Sequence, residues 1–429
     1  MSNDIIELYN IYKNNINLVD NFYDIELGKV LSDRIWKMIK SKKSSIYIRI
    51  IYNIFFEQYI MTDDKNNKSD NIVIIVNDFN KTREDHLMIF DNACTLINDY
   101  NKIVLKKTKK INIIKVFKHL KVVKKYYKEF SFLPIRYQRL YLSSMMCLVD
   151  DLYNMIHIGK LLENKKNMLV FQDCDVVSNM FVQLMKKQGG LTVELQHGQW
   201  LYRNEPYDDY LNIANFTADY ILVWNEFTKQ QFINAGYEDK RIVVAGSTKY
   251  LYDFQSKLEN KKKVGMFGVV LDTPAYTYSE EYNKRLLDIA EKLAIKLNQK
   301  YYIKIHPFDI KEKYDRYIKS FNCAGCVDRT ATMKEYADLV DFSLGHTTGA
   351  SVDLMILKSF VFLYKTDISY PLITNKLYEF RSIEELQASV EYILGNWNEC
   401  LEEYENIRSV YYTENALEMH KNFFDKTFN

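Results

Sequence analysis

A chain of 429 residues is too long for one ordinary hydrophobic core, so two domains are expected. Its 47% hydrophobic and 27% charged residues exclude a disordered chain, and a net charge of +2 provides no global field for nucleic acid. The 34 tyrosines, beside abundant Lys, Asn and Ile, read as the codon bias of an AT-rich genome and not as stacking platforms.

Residues 1–65 read as a helical preface. Within it Leu27, Val30, Leu31, Ile35, Met38 and Ile39 recur at roughly helical period. The start, MSNDIIELYNIYKNN, does not have the pattern of a signal peptide, and no run reaches the ~20 apolar residues of a membrane span. A cytoplasmic protein is therefore expected.

A first Rossmann-like domain is expected over 66–257. NIVIIVND, Asn71 to Asp78, is a β-branched run of the kind a buried parallel strand needs. Asn101 to Phe130 holds eleven lysines and one acid, Glu129, with Ile113, Val116, Phe117, Leu120, Val123 and Tyr127 on one helical face. It reads either as a basic amphipathic helix for an anionic membrane surface or acidic acceptor, or as a lysine-rich solvent face. The strand NMLVFQDCD leads into the helix VVSNMFVQLMKKQGG, which Gly189 and Gly190 stop. The strands LTVELQHG and ADYILVWN, the helix EFTKQQFINAG and the strand RIVVAGS follow. This alternation is the signature of a doubly wound sheet.

The charged LENKKK, Leu258 to Lys263, interrupts the pattern, and a second Rossmann-like domain is expected over 258–382. Its elements are KVGMFGVV, the helix NKRLLDIAEKLAIKL, YYIKIHP, the strand-turn-helix LVDFSLGHTTGASVDLMIL and SFVFLY. Residues 383–429 read as helices that pack back across the domains. The overall expectation is an α/β chain of two Rossmann-like domains with a cleft between them. Six scattered cysteines include one CxxC, Cys323 to Cys326, with no second ligand pair at close spacing, so thiols and not zinc are expected.

Ligands of open α/β sheets sit beyond the carboxyl ends of the strands. In the second domain that edge holds Gly268, His306-Pro307 and Gly345-His346-Thr347-Thr348-Gly349. A small hydroxyl-bearing turn into a helix leaves backbone N–H groups for an anion, and His306 can donate to the same phosphate. The same turn also reads as a plain helix cap. Asp353, one to two helical turns on, can reach a ribose hydroxyl or serve as a first-turn carboxylate. GxGxxG and GxxxxGK[ST] are absent from the sequence, which disfavours a dinucleotide dehydrogenase or P-loop enzyme. In the first domain, His197 follows an apolar strand and precedes Gly198, the place for a general base with a pKa near working pH. Glu194 shares a strand face with Gln196. Asp173-Cys174-Asp175 reads as a helix cap or as an acid at the sheet edge. His86, His119, His157 and His420 read as ordinary surface or core residues.

These residues resemble bacterial GT-B transferases of cell-surface polysaccharide synthesis over about residues 165–365. DLMILKSFVFLY after a hydroxyl turn is similar to CDP-glycerol glycerophosphotransferases of teichoic-acid synthesis. His306-Pro307 with a hydroxyl turn is similar to sialyltransferases and Kdo-type capsule transferases that use CMP-sugars. The resemblance implies a GT-B fold. It also implies an inverting, metal-independent glycosyltransferase, needing no cofactor, that moves a sugar from a CMP- or UDP-sugar to a hydroxyl of capsule or lipopolysaccharide. Alternatives are a CDP-glycerol-type polyol-phosphate transferase, a nucleotide-sugar 2-epimerase and a non-catalytic GT-B scaffold. By resemblance, Gly268, His306, Pro307, His346, Thr347, Thr348 and Gly349 hold donor phosphate and Asp353 meets the ribose. His197, with Glu194 and Asp173 as competing acids, supplies the base. Gln196, Gly198 and Asp175 face a glycan or lipid-linked acceptor at the inner membrane face. Two departures stand out. Gln196-His197 occupies the place of an acidic pair in the CMP-sugar branch, and Thr348-Gly349 that of two adjacent hydroxyl residues.

Overall fold

The computed structural model describes residues 10, 25–30, 32–33, 36, 58–63, 69–76, 84–108, 131, 159–171, 173–200, 210–250, 265–272, 280–307, 309–328, 330–367, 369, 372 and 374–428. They build two α/β sheets. The first contains β1 (Gln58–Asp63), β2 (Asn71–Val76), β3 (Asn101–Thr108), β4 (Asn167–Val170), β5 (Leu191–Leu195), β6 (Tyr220–Val223) and β7 (Ile242–Val244) in the order β1-β3-β2-β4-β5-β6-β7. β2 to β7 pair in parallel, and β1 pairs antiparallel with β3 at the edge. Ile72, Val73, Ile74, Met168, Leu169 and Val170 are buried, as befits strands covered on both faces.

Two expectations fail in this sheet. β1 lies inside the stretch read as a helical preface, because pairing with β3 overrides its local pattern. β3 lies inside the stretch read as a basic helix. There Asn101 and Ile103 point inward at a period of two, and both neighbours pair with the strand. Residues 101–108 therefore form no membrane-facing helix, and 109–130 lie outside the described residues.

The second sheet contains β8 (Met266–Val270), β9 (Lys300–Lys304), β10 (Cys323–Val327), β11 (Phe342–Gly345), β12 (Phe360–Tyr364) and β13 (Glu379–Phe380), all parallel, in the order β10-β9-β8-β11-β12-β13. β10 carries the CxxC, whose two cysteines are free thiols.

The helices that matter for the site are α1 (Glu84–Cys94), α2 (Val176–Lys187), α3 (Glu226–Asn234), α4 (Glu280–Leu297), α5 (Met333–Asp338) and α6 (Gly349–Ile356). Three more close the chain: α7 (Ile383–Gly395), α8 (Trp397–Tyr411) and α9 (Ala416–Thr427). α4 buries Leu286, Leu287, Ala290, Leu293 and Ala294 against the second sheet at helical spacing.

α8 belongs to the second core through Tyr404 and Tyr411, and Arg408 Nε donates to the Ile356 carbonyl at the end of α6. α9 crosses to the first sheet. Phe424 lies among Val73, Leu169, Leu195 and Leu222, and Asn71 Nδ2 donates to the Phe428 carbonyl at 2.8 Å. Gly246 has a positive φ of 82°, and a Cβ there would come within 2.5 Å of the Ala416 Cβ, so the crossing requires glycine. Among the described residues, no helix is long and apolar enough to cross a membrane.

Candidate functional site

The first half of the site is the carboxyl edge of β4 and β5. His197 follows β5 in a wall of rings, at centroid distances of 4.9 Å from Trp200, 5.1 Å from Phe171 and 5.4 Å from His86. His197 is half-buried, while His86, on α1, is buried. His86 carries no sequence signal of a site; its place beside His197 depends on the fold bringing α1 to β5.

Gln196 holds the loop in place. Its Oε1 accepts from Trp224 N at 2.6 Å, its Nε2 donates to the Gly198 carbonyl at 2.6 Å, and its own carbonyl accepts from Trp224 Nε1. These bonds occupy Gln196 and the Gly198 carbonyl with loop structure, so neither contact marks an acceptor site.

Asp173 and Glu194 expose no surface. Glu194 Oε1 accepts from Asp173 N at 3.2 Å, and Asp173 Oδ2 accepts from Thr217 N at 2.6 Å and Ala218 N at 2.7 Å. The pair fastens the β4 exit to β5 and to the turn before β6, out of reach of an acceptor. Asp175 caps α2 by accepting from Val177 N and Ser178 N.

Burial pushes both carboxyls of the pair up, Asp173 from 3.8 to about 6 and Glu194 well above its usual range, and the charge of Asp173 raises Glu194 further. The folded chain therefore holds protons that the unfolded chain releases. The stability tied to them is full below the ordinary carboxyl range and is lost as the pH rises through about 6 and beyond. Glu194→Gln, which cannot ionise, should flatten this slope. Urea midpoints at about pH 5 and pH 8 check it; an identical fall in both proteins refutes it.

The second half of the site is the carboxyl edge of β9 and β11. His306 and Pro307 follow β9 and are half-buried; the His306 carbonyl accepts from Asp309 N at 2.9 Å. Asp309 is itself held by the Tyr314 hydroxyl and the Lys313 ammonium. After β11, His346 and Thr347 are buried to 1% and 0% exposure. Burial pushes the His346 imidazole down to about 3, so the ring is uncharged. Neither residue presents itself to a solvent-borne phosphate. Thr348 and Gly349 face outward instead, at the start of α6.

Thr348 occupies the cap position without a side-chain cap bond, so its hydroxyl is not used as a plain cap. Gly345 is small because Ser351 Oγ would lie 2.7 Å from a Cβ there; that hydroxyl donates to the His346 carbonyl. Gly268 sits within β8 and not at its edge. A Cβ there would meet the Tyr336 hydroxyl at 1.9 Å, so this glycine admits a core tyrosine from α5 and does not cradle phosphate.

Asp353, on the second turn of α6, forms an ion pair with Lys249 at 2.6 Å; each side chain is only 11% exposed. Lys249 lies in a single 3₁₀ turn, Thr248–Tyr250, just beyond β7 of the first sheet. The pair joins the carboxyl edge of one sheet to that of the other. Lys249 carries no local sequence signal, because its partner is 104 positions away.

No protein-family model matches the chain, and no curated protein matches it in sequence. Among solved structures, the S. aureus MnaA–UDP co-structure aligns over 84% of this chain and 97% of that one, with a TM-score of 0.51 and 10% identity. The UDP-GlcNAc 2-epimerase of Neisseria meningitidis bound to UDP-GlcNAc aligns over 83% and 98%, with a TM-score of 0.49 and 12% identity. The wall teichoic acid polymerase TagF aligns over 62% and 75%, with a TM-score of 0.42 and 14% identity. At such identities the likeness is one of fold, and the first alignment carries it.

The chain has the GT-B fold. In this GT-B chain the two halves of the site bring different chemistry. The first-sheet edge offers an imidazole set in an aromatic wall. The second-sheet edge offers a helix start, a hydroxyl, a second imidazole and a carboxylate neutralised by a lysine. Among the described residues, no group of three or more His, Cys, Asp or Glu is placed to hold a metal ion.

Proposed function

We propose that this chain is a nucleotide-sugar-dependent glycosyltransferase, with the donor on the second sheet and the acceptor on the first. The observation that carries the reading is the Lys249–Asp353 pair, which supports a cleft where the two carboxyl edges meet. In this reading Asp353 accepts from a ribose hydroxyl, and the α6 start with Thr348 and His306 holds the donor phosphate. His197 takes the proton of the acceptor hydroxyl as its oxygen bonds to the sugar carbon. The sugar–phosphate bond breaks in the same displacement, inverting the carbon. Its electron pair moves onto phosphate oxygen, where helix N–H groups stabilise the charge.

The burial of Asp173 and Glu194 favours transfer over 2-epimerisation, which would draw on carboxylates facing the sugar. The UDP held by the S. aureus neighbour makes uridine nucleotides the first donors to test. A cell-surface glycan such as capsule as acceptor is supported by the sequence resemblance.

A thermal-shift panel of UDP, CDP, CMP, GDP, their sugars and CDP-glycerol tests the proposal. One nucleotide class should raise the melting temperature in a concentration-dependent way. Silence from all of them sinks the proposal, and a response confined to CDP-glycerol moves it to polyol-phosphate transfer. Turnover with the stabilising donor should persist in excess EDTA; loss on chelation and recovery with a divalent cation would overturn the metal-independent step.

A further inference from the structure

We propose that Lys249 is a positioning residue that couples donor binding at Asp353 to the placement of His197, an inference that rests on the nucleotide-sugar reading. The turn bearing Lys249 is anchored to α1 twice: the Thr248 hydroxyl donates to the Ile89 carbonyl at 2.5 Å, and Asn92 Nδ2 donates to the Thr248 carbonyl at 2.9 Å. From this anchored turn the Lys249 ammonium reaches Asp353 on α6. One helical turn before Ile89, α1 carries His86, whose ring stands edge-on to that of His197 at 5.4 Å. A continuous run of contacts thus joins the donor carboxylate to the base through Lys249, Thr248, α1 and His86.

Two physical consequences follow from the placement. A bare Asp353 carboxylate would repel donor phosphates, and the ammonium at 2.6 Å cancels that charge in a place where water screens it poorly. Nucleotide therefore prefers the arrangement in which Lys249 is engaged. Any shift of the turn when the pair breaks passes to α1 and so to the ring beside His197. Because coupling between sites is reciprocal, a change at one end should be read at the other.

The test uses the full chain and the imidazole Cε1–Hε1 NMR signal of His197, assigned by its absence in His197→Gln. Lys249→Met should displace that signal although the substitution lies on another element, and Lys249→Arg should leave it near its wild-type position. Affinity for whichever of UDP, CDP or CMP binds the wild type should fall on the order of tenfold in Lys249→Met and recover in Lys249→Arg. A folded Lys249→Met protein with an unmoved His197 signal, or with equal or tighter nucleotide binding, overturns the proposal. Absence of nucleotide binding by the wild type defeats the functional reading, whereas the His197 signal still decides the coupling. If Lys249→Met fails to fold, Lys249→Met with Asp353→Asn removes both charges of the pair and carries the same NMR test.

Discussion

Replacing His197 with alanine should lower turnover by about 10²- to 10⁴-fold, while nucleotide affinity changes by no more than the roughly tenfold that the Lys249 coupling carries. The imidazole stands at the edge of the first sheet, and its surroundings are Trp200, Phe171 and His86. Its removal deletes a proton acceptor on the acceptor side and leaves the donor-binding groups of α6 in the chain. The expected signature is a fall in kcat with little change in the donor KM. Turnover assayed with the donor identified by thermal shift, beside a binding titration of the same variant, separates the two effects. Retained turnover removes His197 from the base role. Lost nucleotide binding would place it in the donor site instead.

Replacing Phe424 with alanine should destabilise the first sheet by about 3–5 kcal/mol, the usual cost of emptying a buried aromatic site. Phe424 is fully buried among residues of β2, β4, β5 and β6, and it meets Phe428 edge-on at 5.4 Å. Trp200 and Trp224 report on this sheet, while Trp397 packs on the second core against Phe360. In a Trp397→Phe background, tryptophan fluorescence should show urea unfolding shifted to lower denaturant by Phe424→Ala. An unchanged midpoint would mean that α9 contributes little to the first sheet. Trimming the helix at its exposed face, at Glu418 for instance, should leave that midpoint in place.

Much of the fold was legible because buried parallel strands announce themselves as apolar runs between turn residues. β2, β4, β5, β6, β8, β11 and β12 are of that kind. β3 was hidden because its sequence, NKIVLKKT, opens a lysine-rich stretch. β10 was hidden because CAGCV is only half-buried at a sheet edge, and β13 because it has two residues. That His197, His306 and Thr348 stand at the carboxyl ends of strands was legible in the sequence. The commitments of their neighbours were not. Gln196 is consumed by Trp224, and Asp173 by Thr217 and Ala218, through contacts that exist only once β5 and β6 are side by side. His346 and Thr347 show the same limit: their residue types suit a phosphate site, and burial decides otherwise. His86 and Lys249 carry no local pattern at all, since each acquires its meaning from a partner in a distant segment.

The crossing of α9 bears on the order in which the molecule can be assembled during synthesis. Asn71 and Phe428 share a hydrogen bond across 357 positions, and Phe424 fills the core of a sheet whose strands emerge from the ribosome long before it. Domains of a nascent chain commonly fold in the order of their appearance. Here the N-terminal sheet lacks a wall of its core until α9 has been made, by which time every strand of the second sheet is available. The second unit can therefore complete itself first, and the first unit must wait, with part of its apolar surface uncovered, for the last helix to arrive.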